Sequence, residues 1–205
     1  MEGVLNLSLF LVSVIFISMS AIMMPGPVFA VTIAKGHKDK NAGALIALGH
    51  GIIEVPLILL IYLGFAKFFT SDAIKMVIGL VGGAMLIFMG IQMFKGRKSM
   101  AAESGDLPYS SLTAGIITTS SNPYFFLWWG TIGTTLILMA NTFGLIGFLL
   151  FAIVHWLCDF IWSLFVSVAT FKSRHLWNNR IHEIVFSICS AILIIFGLRF
   201  IISVF

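Results

Sequence analysis

Two pairs of ionisable side chains stand inside otherwise apolar stretches: His50-x-x-x-Glu54 and His155-x-x-x-Asp159. Four-residue spacing puts each imidazole one helical turn from its carboxylate, on the same face. A carboxylate at the centre of a bilayer costs about 2.5–3.5 kcal/mol even on a lenient insertion scale. In a membrane such acids face the interior and mark a path or a site. Three chemistries suit them. Each carboxyl can carry a proton, with the imidazole as its neighbour, or bind an ammonium group. If the two pairs meet, two imidazoles and two carboxylates make a donor set for zinc, manganese or nickel. The plain alternative is a neutralised structural lock in each helix.

Two further spots break the apolar runs. Pro25-Gly26-Pro27 interrupts the first and Asn122-Pro123 the fourth. A proline inside a helix removes one donor and clashes with the carbonyl a turn earlier. Backbone groups freed there need partners, which a polar substrate or water can supply. Pro25, Gly26, Pro27, Asn122, Pro123 and the adjacent Tyr124 are therefore candidate substrate-binding positions.

The elements that must position these residues are membrane spans. The chain is 60% hydrophobic and only 10% charged, against roughly 25% charged residues in soluble domains. Six apolar runs of about 20 residues or more follow one another: 4–34, 42–65, 74–94, 112–138, 143–171 and 184–205. The expected fold is an all-α integral membrane protein forming a single transmembrane domain. Lys35, Lys38, Lys40, Lys95, Arg97, Lys98, Lys172, Arg174 and Arg180 lie in alternate loops, leaving Lys67, Lys75 and Arg199 for the other side. The positive-inside rule then places both termini outside the cell membrane.

The halves look alike. Residues 84–94 of the third run align with 191–201 of the sixth, the His–acid pairs align, and the Pro breaks align. Three spans per half make the second half enter the membrane upside down, as in the inverted repeats of secondary transporters. The expected repeats are about 4–94 and 112–205, joined by a cytoplasmic loop at 95–111. Depth agrees with this arrangement. Counted at 1.5 Å per residue from the basic loops, both breaks lie about 15 Å deep, and Glu54 and Asp159 about 18–20 Å deep.

Other features are plainer. Cys158 and Cys189 form no CxxC pair or metal-spaced set and read as packing residues. Gly79, Gly82, Gly83 and Gly90 suit close helix contact. Tyr124, Phe125, Phe126, Trp128 and Trp129 read as packing or lipid contacts before they read as an ammonium box. Arg199 is expected to snorkel outward. The N-terminus lacks the cations and cleavage site of a signal peptide. There is no Walker loop, nucleophile–base set or nucleic-acid patch, so an enzyme is not expected, nor a cofactor. The expected partners are a small-molecule substrate and the lipid bilayer, and homo-oligomerisation is compatible with such a chain.

Pro25-Gly26-Pro27, the basic turn Gly36-His37-Lys38, Ala42-Gly43, Ala47-Leu48-Gly49 and Asn122-Pro123 resemble the marks of the LysE/RhtB family of amino-acid exporters over nearly the whole chain. That resemblance implies ion-driven export, usually by protons, of amino acids or related metabolites. The chain departs from the family pattern at Met24, Val28, Tyr124 and the His50–Glu54 pair. The alternative reading is a divalent-metal exporter using His50, Glu54, His155 and Asp159.

Overall fold

The computed structural model describes residues 2–23, 26–65, 72–101, 108–176 and 179–203. Pro25, named above as a candidate, lies outside them, as does Lys67. The described chain is helical throughout, in ten α-helices. They are α1 (Glu2–Ile22), α2 (Pro27–Gly36), α3 (Ala42–Leu60), α4 (Asp72–Val77), α5 (Gly83–Ala101), α6 (Ser111–Ser120), α7 (Pro123–Trp128), α8 (Thr134–Asn141), α9 (Gly144–Ser173) and α10 (Asn179–Ile202). Wider π turns extend α3 through Ile61–Phe65, join α4 to α5, and join α7 to α8.

Four stretches are long and apolar enough to span a bilayer: Ala42–Phe65, Gly79–Lys98, Gly144–Leu176 and Asn179–Ile202. Two bent pairs would bring the number to six if each counts as one span. Residues 6–22 and Pro27–Gly36 meet at 77°, and Ser111–Ser120 and Tyr124–Asn141 at 63°. Both bends fall where the prolines place them. Gly26 caps α2 in an extended conformation, with Pro27 in the first turn. There a missing N–H is no loss, because the first helical amides have no partner inside the helix. Asn122 does the same for α7, accepting the Tyr124 N–H at 3.1 Å.

One expected boundary moves. The polar segment beginning at Lys95 is not all loop, because α5 continues to Ala101. Arg97 donates to the Phe94 carbonyl at 2.6 Å and lies over the Phe94 ring. Cations also suit the negative end of a helix dipole. The apolar limit marked the hydrocarbon edge, and the helix runs on past it.

Packing rests on small residues. A Cβ on Gly83 would sit 2.6 Å from the Gly197 carbonyl oxygen, and one on Gly197 just as close to that of Gly83. One turn-pair further, Ser190 donates to the Gly90 carbonyl at 2.7 Å. Gly82 likewise meets the Ser121 carbonyl. These three glycines of the third run therefore act as expected, and Gly79 is buried with them. Two apolar cores form. One gathers Ala30, Ile46, Leu86 and Leu193, the other Val14, Leu57, Trp129 and Phe151. Cys158 and Cys189 are buried and unbridged, in keeping with packing roles. Large apolar side chains such as Phe16, Leu138, Ile146 and Ile161 stay exposed on the outside. Lipid, not water, is the solvent such a surface fits.

The glycine that starts α9 has a separate job. Gly144 has φ +70° and nothing within 4 Å of where a Cβ would stand. Only the backbone penalty then opposes a side chain, so Gly144→Ala is expected to cost about 1–2 kcal/mol. Denaturation in detergent micelles would show this as a small fall in midpoint.

Candidate functional site

α3 carries His50 and Glu54, and α9 carries His155 and Asp159. Glycine lets the two helices approach. A Cβ on Gly43 would lie 1.9 Å from the Ser163 carbonyl oxygen, and one on Gly51 2.5 Å from the Trp156 indole nitrogen. The approach brings all four ionisable residues into one cluster. His50 donates through Nε2 to Glu54 Oε1 at 3.0 Å, and His155 does so to the same oxygen at 3.2 Å. Asp159 stands further off. Its Oδ1 is 3.8 Å from His50 Nε2 and its Oδ2 is 3.6 Å from His155 Nε2.

The two acids are therefore unequal, which their matching spacings do not reveal. Glu54 is 1% exposed and ties both rings together. The Asp159 side chain is 13% exposed and sits beyond hydrogen-bond reach of either imidazole. Glu54 Oε2 and Asp159 Oδ2 are buried with no hydrogen-bond partner among the described residues. Those two oxygens are the spare valence of the cluster, where a proton or a cation can be taken up.

The far side of each ring is held by a hydroxyl. Ser18 Oγ lies 2.7 Å from His155 Nδ1, and Thr119 Oγ1 lies 2.8 Å from His50 Nδ1. With a neutral imidazole the hydroxyl donates to Nδ1, which leaves the ring hydrogen on Nε2, facing Glu54. Ser18 and Thr119 join the cluster although nothing in the sequence singles them out. Both runs hold several hydroxyls, and spacing alone does not separate these two from Ser13, Ser20, Thr118 or Ser120.

Aromatic rings close the remaining sides. Trp128 stacks on His155 with centroids 5.3 Å apart, and Trp129 meets it edge-on at 4.9 Å. Phe125 meets His50 edge-on at 5.2 Å. The aromatic segment thus acts through packing around the imidazoles. Tyr124 is half exposed and turns to α10, with its ring 5.3 Å from Phe200 and the exposed Arg199 guanidinium 5.8 Å above it. Both helix breaks border the cluster through the hydroxyls. Ser18 is one turn from the end of α1, and Thr119 is next to the last residue of α6. Gly26, Pro27 and Asn122 sit at the breaks themselves, and Pro123 opens α7.

Buried carboxylates, two helix pairs bent at prolines and an apolar exterior are what a membrane carrier requires and what a soluble binding module lacks. No curated protein and no solved structure matches the chain. The family model for the LysE type translocator matches residues 19–204, nearly the whole length. The chain belongs to the LysE type translocator family and is a multi-pass membrane transporter of small molecules.

Proposed function

We propose that this translocator is a secondary exporter of amino acids or related small metabolites, coupled to protons, with its centre at His50, Glu54, His155 and Asp159. The observation that carries the reading is the meeting of these four residues, two from each half, deep among the helices. The interrupted helices would offer the backbone groups around Gly26, Pro27 and Asn122 to the carboxylate and amine of the substrate. Asp159, with its unpartnered oxygen and looser placement, is the better proton or ammonium carrier. Glu54 holds the frame and supplies the charge at its centre.

The arrangement is read as two inverted repeats, about 4–94 and 112–205, with both termini outside. Reciprocal contacts support this. One offset along the chain carries His50 to His155 and Glu54 to Asp159, so the Glu54–His155 contact has the His50–Asp159 contact as its mate. Another offset carries Gly83 to Ser190 and Gly90 to Gly197, so the Gly83–Gly197 contact has Gly90–Ser190 as its mate. Exchanging the halves maps each contact onto its partner, as a two-fold relation requires.

Proteoliposomes with an imposed pH gradient test the coupling. Gradient-driven efflux of an amino acid is expected from the native protein. Asp159→Asn is expected to abolish the response to the gradient while shifting thermal stability by less than about 1 kcal/mol, since the amide has the same shape and no hydrogen bond with the imidazoles is broken. Full gradient-driven flux in Asp159→Asn would remove the proton role.

A second reading, export of a divalent metal ion, is favoured by one observation. Ligand atoms of His50, Glu54 and Asp159 all lie within 4.8 Å of one another. Nitrogen and oxygen donors of this kind suit zinc or manganese. Calorimetric titration of the purified protein with Zn(II) or Mn(II) decides between the readings. Stoichiometric binding that is lost in His50→Ala selects the metal.

A further inference from the structure

We propose that Ser18 and Thr119 are positioning residues that link the two interrupted helices to each other through Glu54. Five side chains form one continuous line: Ser18, His155, Glu54, His50, Thr119. The successive separations are 2.7, 3.2, 3.0 and 2.8 Å, all within hydrogen-bond range. All five residues are buried. The line starts on α1, just before the first break, and ends on α6, just before the second.

The neighbouring hydroxyls make the choice of these two informative. A serine or threonine in a helix commonly bonds back to a carbonyl one turn earlier. Ser20 does so with Ile17, Thr118 with Ala114 and Ser120 with Ile116. Ser18 and Thr119 instead reach across to imidazoles on α9 and α3. Each interrupted helix is thereby tied to the long helix of the opposite half, and the two ties share one carboxylate oxygen.

Such a line has a mechanical effect. When either break opens, one hydroxyl leaves its imidazole, the ring loses its orientation, and the bond to the shared Glu54 oxygen weakens. The other end then loses part of its anchor. Opening at one break thus favours opening at the other by the free energy of the bonds they share. The meaning for transport rests on the exporter reading above; the linkage itself does not.

Hydrogen–deuterium exchange of the full protein in lipid nanodiscs, without substrate, tests it. Exchange is followed in segments 19–30 and 117–127, which cover the two breaks. Ser18→Ala and Thr119→Val are each expected to speed exchange at both breaks by roughly fivefold, the effect of one lost hydrogen bond on a local opening equilibrium. Thr119→Ser keeps the hydroxyl and is expected to restore native exchange. Thr118→Val removes an equally buried hydroxyl that bonds within its own helix, and is expected to leave segment 19–30 unchanged. Faster exchange confined to 117–127 in Thr119→Val, or the same remote effect in Thr118→Val, would overturn the linkage. If Thr119→Val fails to fold, Ser18→Ala read at 117–127 poses the same question from the other end. Linked exchange in a protein that moves no amino acid would uphold the linkage and sink the exporter reading. Unlinked exchange with normal efflux would do the reverse.

Discussion

Replacing Glu54 by leucine is expected to cost about 2–3 kcal/mol of stability and to bring gradient-driven efflux to background. The substitution removes the acceptor for two imidazole N–H groups at once. Hydrogen bonds inside a bilayer average about 0.6 kcal/mol and reach about 1.7. Two such bonds alone give about 1–3 kcal/mol. Two stranded polar groups in a buried, aromatic-walled space push the cost towards the upper end. Asp159 limits the damage, because its carboxylate stands 3.6–3.8 Å from both rings and can swing inward. Glu54→Gln separates the charge from the frame. It retains an acceptor oxygen, so stability should change by less than about 1 kcal/mol, yet efflux should still be lost. Thermal melts in detergent and proteoliposome flux, measured on both variants, check this. Full flux in Glu54→Gln would confine Glu54 to a structural role.

The second large effect concerns how α3 is seated. Gly43 faces the α9 backbone, with a prospective Cβ 1.9 Å from the Ser163 carbonyl oxygen. Gly49 faces α6, with the Leu112 oxygen at 2.2 Å, and Gly115 faces back, with the Ile46 oxygen at 2.1 Å. The obstructing atoms are main-chain atoms, which cannot rotate away as a side-chain tip can. A methyl group at Gly43 or Gly115 must part the helices by roughly 1.5 Å before contact becomes ordinary. Overpacking typically costs about 1–3 kcal/mol, and rigid backbone places these sites at the top of that range or above it. Gly43→Val and Gly115→Val should therefore fail to yield a monodisperse protein, and the alanine variants should melt well below the native chain. Gly64→Ala is the contrast. Gly64 has φ +97° but nothing within 4 Å of a Cβ, so it bears only a backbone penalty of about 1–2 kcal/mol. If Gly43→Ala melts no lower than Gly64→Ala, the tight seating of α3 is wrong. The same displacement would stretch the His155–Glu54 and His50–Thr119 contacts, so function should fall with stability.

Much of this architecture is legible in the sequence. Apolar runs mark spans because lipid admits few charges, and a proline within a run marks where a helix can break, although Pro56 stands inside α3 without ending it. The bends between Ile22 and Pro27 and between Ser120 and Tyr124 fall at two such prolines. Four-residue spacing likewise gave each His–acid pair its shared face. Other features depend on how helices meet. Nothing in the spacing of Glu54 and Asp159 makes one a shared acceptor and the other a bystander. That difference arises from where α3 crosses α9. Ser18 and Thr119 were hidden for the same reason, since a hydroxyl that bonds within its helix and one that bonds across helices look identical in sequence. The continuation of α5 past Lys95 was missed because hydropathy records where hydrocarbon stops, and a helix can continue in the headgroup layer or in water.

Trp128 and Trp129 against His155 have one more consequence. Indole is a good fluorophore, and a charged imidazole in ring contact is an efficient quencher of it. The protein holds five tryptophans, and two of them touch the ring that binds Glu54. Any event that charges His155, or pulls it towards an arriving cation, should change the emission of that pair with no label attached. The proposed centre thus carries its own optical gauge, readable during turnover.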